Sequence, residues 1–204
     1  MKKNAVFLVI IACLVWGPAY GADDAPMGIA GFRLGENIDS IQDRIRKDTE
    51  LPIRFAEYIH EVEIHPAKGF KSGLISFGTC ALPGRIVRIK LKFADASPEF
   101  YEKLLERYKK TFGDPNEWRG DPFHVVIAWK WSFTDKEGNP VSLILQHNTK
   151  DTEEKMGNSV KLAIHNFIES ERACFIEKNP DFRKSAKGNP RSANAPEWDN
   201  CIPR

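Results

Sequence analysis

The pattern that most narrows the fold is a set of apolar–polar alternations, arranged in two groups of three around one amphipathic helix. A period of two marks strands with one covered face, because successive side chains point to opposite sides of a sheet. Arg54 to His65, Gly73 to Cys80 and Arg85 to Phe93 form the first group. They are parted by Pro66-Ala67-Lys68-Gly69 and Leu82-Pro83-Gly84, both turn chemistries. Phe123 to Phe133, Val141 to His147 and Val160 to Phe167 form the second group. Between the groups, Ser97-Pro98-Glu99 has the cap, first-turn proline and acid that open a helix. Tyr101, Leu105, Tyr108 and Phe112 form its apolar stripe, and Gly113 and Pro115 stop it. An earlier helix is expected between Asn37 and Asp48 from the spacing of Ile38, Ile41 and Ile45, with Asp39 and Gln42 as a capping pair. A last short helix is expected over Ser170 to Lys178.

Hairpin-length connections between alternating strands predict an α+β fold, an antiparallel sheet with its helices packed on one face. The order of elements suggests a twofold αβββ pseudo-repeat, with halves at about 30–95 and 96–178 of a single domain spanning 22–178. Phe32-Arg33-Leu34-Gly35 precedes the first helix, and Phe112-Gly113-Asp114-Pro115 follows the second. With these tags the layout resembles the helix-plus-antiparallel-sheet repeats of the β-lactamase-inhibitor and outer-membrane-assembly lipoprotein group. That resemblance implies binding of other proteins.

The amino terminus carries an address. Lys2 and Lys3 precede twelve uninterrupted apolar residues, Ala5 to Trp16, and Gly17-Pro18 then breaks the run. Ala19 and Gly21 supply small residues ahead of a cleavage point, so residues 1–21 read as a secretory signal peptide. Crossing a bilayer takes roughly 20 apolar residues, so a retained membrane span is the poorer reading. Ile10-Ile11-Ala12-Cys13 leaves a lipid anchor at Cys13 as a minority alternative. Periplasmic or extracellular residence follows from either.

Charge excludes one broad class of function. The chain has 30 Lys and Arg against 28 Asp and Glu, and removal of the signal leaves 28 of each. A neutral total argues against nucleic-acid binding, which draws on an excess of positive charge. Only the end of the chain is biased. From Lys178 onward six basic residues face three acids in a Pro-, Asn-, Ser- and Ala-rich context, so 179–204 reads as a flexible basic tail. Three cysteines remain after the signal, and in an oxidising compartment two should pair. Cys174 with Cys201 is the expected bridge, stapling the tail to the last helix. Cys80 is then left as a buried free thiol, whose functional reading is a reactive nucleophile.

No Gly-rich phosphate loop, Cys-x-x-Cys, His-Glu-x-x-His or Gly-x-Ser-x-Gly occurs. The histidines 60, 65, 124, 147 and 165 lack the close ligand spacing of a zinc site, so neither metal nor cofactor is expected. Trp129 and Trp131 share a face with Val125, Ile127 and Phe133, which reads as core before it reads as a sugar platform. Trp118, in a turn-rich segment, is the candidate exposed contact aromatic. Arg88, Lys90 and Lys92 form a basic stripe on one face of their strand and are the candidate binding residues for an anionic envelope component or acidic partner. Their competing reading is neutralisation by Glu57, Glu61 and Glu63, should those strands be neighbours. The sequence therefore predicts an exported binding or assembly module, with a small secreted hydrolase or thiol enzyme as the alternative.

Overall fold

The computed structural model describes residues 25–148 and 157–180. The expected signal peptide (1–21), Cys13, Cys201 and most of the expected tail lie outside the described residues.

The alternating runs form strands, except that the last ends at Ile164 and the final helix begins at His165 rather than Ser170. After a small ribbon of β1 (Gly28–Ile29) and β2 (Phe32–Arg33), one antiparallel sheet is built from eight strands. They are β3 (Ile45–Ile53), β4 (Ala56–Ile64), β5 (Phe70–Gly78), β6 (Ile86–Phe93), β7 (Glu117–Trp118), β8 (Val126–Thr134), β9 (Pro140–Asn148) and β10 (Ser159–Ile164). The sheet order is β3-β4-β5-β6-β10-β9-β8-β7. Two four-stranded meanders therefore meet where β6 lies antiparallel to β10, with Lys90 opposite Lys161.

Helix α1 (Pro98–Phe112) follows its sequence signals closely. The Ser97 hydroxyl accepts from the Phe100 amide at 3.2 Å, and Gly113 (φ 77°) ends the helix while donating to the Lys109 carbonyl. Its stripe covers one face of the sheet: Phe100 meets Phe93, Tyr101 stacks on His147, Tyr108 meets Trp131, and Phe112 meets Phe133. Trp131 is 1 % exposed and donates from Nε1 to the Gly113 carbonyl. Burying such side chains is worth about 2–3 kcal/mol each, so this face is the core. The tryptophan face of β8 is thus core, as its alternation predicts. The buried Asn158 amide donates to the carbonyls of Asp95 and Ser97 and its oxygen meets His147 Nδ1, which pins the start of α1 to the sheet.

Three expectations are corrected. The first helix is a kinked 3₁₀ segment, Ile38–Arg44, capped by Asn37 and interrupted by non-helical backbone at Ile41 (φ −123°, ψ 22°). Asp39 and Gln42 do touch, but side chain to side chain. Ile45 then pairs with Ile64, and the chain continues as strand β3 where helix was expected to run to Asp48. Nor do the helices share one face. Helix α2 (His165–Lys178) starts directly after β10 on the side opposite α1, where His165 meets Ser142 and Glu171 fills the space beside Gly78. Each half contributes four strands rather than three, so the arrangement does not establish an αβββ repeat. What stands is α+β with an antiparallel sheet.

The third correction concerns sulfur. Cys174 is bonded to Cys80, not to Cys201. The physical reason lies in α2, which crosses the sheet and places Cys174 beside the loop that follows β5. The buried Glu171 carboxylate, one turn earlier, accepts from the backbone amides of Thr79 at 2.9 Å, Cys80 at 2.6 Å and Leu82. A disulfide and a three-amide carboxylate therefore latch α2 to one loop. Among the described residues no helix is long and apolar enough to cross a membrane.

Candidate functional site

Pairing registers assign each polar-face side chain to a place. Leu74, Lys90, Lys161, Ile144, Lys130 and Glu117 stand in one row across β5, β6, β10, β9, β8 and β7. One level along, Glu61, Ser76, Arg88, Ala163, Ser142 and Ser132 form a parallel row. Small residues thus occupy positions between long cations. The result is a groove of about 390 Å³, with Ala128, Ser142 and Ala163 at its base and Arg88, Arg119 and Lys130 around it. The first turn of α2 contributes His165 and Ile168.

Its electrostatics are unbalanced. Arg88 Nη2 lies 2.8 Å from Glu61, reaching past Ser76, whose hydroxyl accepts from Arg88 Nε at 3.0 Å and donates to the same carboxylate. Glu117 is shared by Arg119 at 2.9 Å and Lys130 at 3.2 Å. Lys161 sits among these groups, and its pKa is pushed below the usual lysine value first by burial, then by repulsion from Arg88, Lys90, Arg119 and Lys130. His165 Nε2 is 2.8 Å from Ser142 Oγ. Its pKa is likewise lowered, first by burial and then by Lys130 and Lys161, with Glu169 opposing. Among the described residues, Arg88 pairs with Glu61, Arg119 and Lys130 pair with Glu117, and Lys90 and Lys161 stand beside them.

The anticipated residues fare differently. Arg88 and Lys90 stand on the polar face at the groove's side of β6. Lys92 is buried two residues further along that strand, level with Ser159. Of the glutamates on β4, Glu61 reaches across β5 to Arg88, and Glu63 is taken by Arg46 at 2.7 Å. Trp118 is not brought to this site. It lies half-buried in β7, paired with Trp129 and packed edge-on against it at 4.9 Å, on the α1 side of the sheet. Lys161, Lys130, Arg119 and His165 were not singled out by sequence. Alternation does place Lys161 opposite Val160 and Leu162, but nothing in the sequence announces that β10 pairs with β6.

A larger open depression of about 860 Å³ lies at the strand ends, near Met27, Arg85 and Asp135. Two of its charged groups are engaged locally: Arg85 donates to the Gly35 carbonyl, and Asp135 accepts from Asn139 and from the Glu137 amide. It reads as a junction between elements. Among the described residues no group of three His, Cys, Asp or Glu side chains is placed to hold a metal ion. No family model, curated protein or solved structure matches the chain.

Proposed function

We propose that this is an exported, non-catalytic binding protein that holds an anionic ligand in the groove on the polar face of its sheet. The observation that carries the reading is Lys161, half-buried among four further cations that, among the described residues, have the carboxylates of Glu61 and Glu117 between them. Like charges held at this density raise the free energy of the unliganded protein, and an incoming anion lowers it. Export is supported by the signal-like residues 1–21 and by the Cys80–Cys174 disulfide, a bond that persists in oxidising compartments. The thiol-enzyme alternative loses its nucleophile, because the Cys80 sulfur is committed to that bond.

Two measurements test this. Amino-terminal sequencing of the protein recovered from the envelope should begin near Ala22, and an intact Met1 in the cytosol would contradict export. Retention on immobilised polyphosphate should be lost in a Lys90→Glu, Lys161→Glu double variant. It should survive in Lys103→Glu, Lys110→Glu, which makes the same net change on the exposed surface of α1. Equal loss in both would reduce the interaction to net charge and overturn the groove as its site.

A further inference from the structure

Resting on the anion-binding reading, we infer that the groove recognises a phosphate monoester, a compact dianion attached to a carrier with an apolar face.

Charge, donor placement and shape argue together. Arg88, Arg119, Lys130 and Lys161 line the groove and Lys90 stands beside Lys161, so among the described residues these cations outnumber Glu61 and Glu117 by three. A single carboxylate leaves most of that excess unanswered, whereas a phosphate monoester brings close to two charges and three strong acceptor oxygens in one small volume. The donors approach from different directions: Lys161 from β10, Lys130 from β8, Arg88 from β6, and His165 with Ser142 at the end closed by α2. A tetrahedral oxyanion accepts from directions spread in three dimensions, whereas a carboxylate's acceptor directions lie near one plane. The first turn of α2 adds to the field. Its cap residue, Ile164, supplies no side-chain hydrogen bond, and the positive end of the helix borders the same groove.

The groove is larger than a lone phosphate, and about 390 Å³ falls in the range of small-molecule sites. Ile144 and Ile168 give it an apolar wall. A phosphorylated sugar, with polar edges and an apolar ring face, offers this chemistry, and so does a phosphorylated lipid headgroup.

Calorimetry on the full mature chain, disulfide intact, separates the possibilities. The probes are a hexose 6-phosphate, a hexuronate of similar size, and vesicles of phosphatidic acid or of phosphatidylcholine. The hexose phosphate should bind at least about tenfold tighter than the hexuronate. Lys161→Gln should weaken it by about tenfold, while Lys161→Arg stays within about threefold. Binding to phosphatidic acid vesicles but not to the soluble ester would also support the inference and assign the source to a lipid. Hexuronate binding equal to or tighter than the ester, and lost in Lys161→Gln, would overturn the phosphate inference and leave the anion groove standing. No Lys161-dependent binding of any probe would overturn both.

Discussion

At the scale of single residues, the groove and the latch set opposite demands on stability. Glu171 is fully buried, and its two oxygens accept from three amides of one loop. Its removal leaves those donors without their acceptor, so Glu171→Ala should destabilise the protein by about 3 kcal/mol, read by denaturant unfolding. A loss under 1 kcal/mol would contradict its place in the latch. His165 responds to charge in the other direction. Burial, Lys130 and Lys161 hold its pKa below the ordinary 6.5 while Glu169 pulls it up, and Arg88 and Arg119 add to the positive field of the groove. A lowered folded pKa means that the unfolded chain binds the proton more readily, so free protein loses stability as pH falls through 6.5 toward the folded value. An anion beside the ring reverses this. Histidine NMR titration should show the His165 pKa rising on addition of hexose phosphate, and an unmoved titration would place the ligand elsewhere.

At the scale of elements, α1 was legible because its signals are local. Serine, proline, glutamate, an apolar stripe and a glycine stop all fall within seventeen residues of one another, and each does in the structure what its chemistry implies. Ser97→Ala should cost about 1 kcal/mol in thermal or chemical unfolding, because one first-turn amide loses its acceptor. Strand β3 was not legible, for the same physical reason that it can stand at an edge. It carries Arg46, Lys47, Asp48, Glu50 and Pro52, a composition that discourages further pairing, and its register with β4 shifts twice. Isoleucines 38, 41 and 45 mimic a helical stripe, yet only a short 3₁₀ segment forms before Ile45 is taken into the sheet. The disulfide was misassigned because the proximity of Cys80 and Cys174 is created by α2 crossing the sheet, across 94 residues of sequence. Cross-linking at that separation is worth about 4 kcal/mol, so the Cys80→Ala, Cys174→Ala variant should lose about that much stability. Reductant should then have no further effect on it.

At the scale of the whole molecule, the sequence indicates a neutral total and a basic stripe on one strand, and the fold gathers charge from distant segments into one place. Arg88 and Lys90 belong to the first meander; Arg119, Lys130 and Lys161 belong to the second. Only the β6–β10 pairing, the least local contact in the sheet, brings the two sets together. The remaining polar face to the other side carries Glu61 and Glu63, which engage Arg88 and Arg46 rather than Lys161. The central claim is that Lys161 is held at a cost to the free protein so that an anion can be bound. Thermal unfolding of the wild type and Lys161→Gln, with and without hexose 6-phosphate at matched ionic strength, tests it most directly. Alone, Lys161→Gln should be the more stable by about 1 kcal/mol, or about 2–4 °C, and the ester should reverse the order by stabilising only the wild type. A Lys161→Gln protein that is less stable alone, and stabilised by the ester as much as the wild type, would contradict the account.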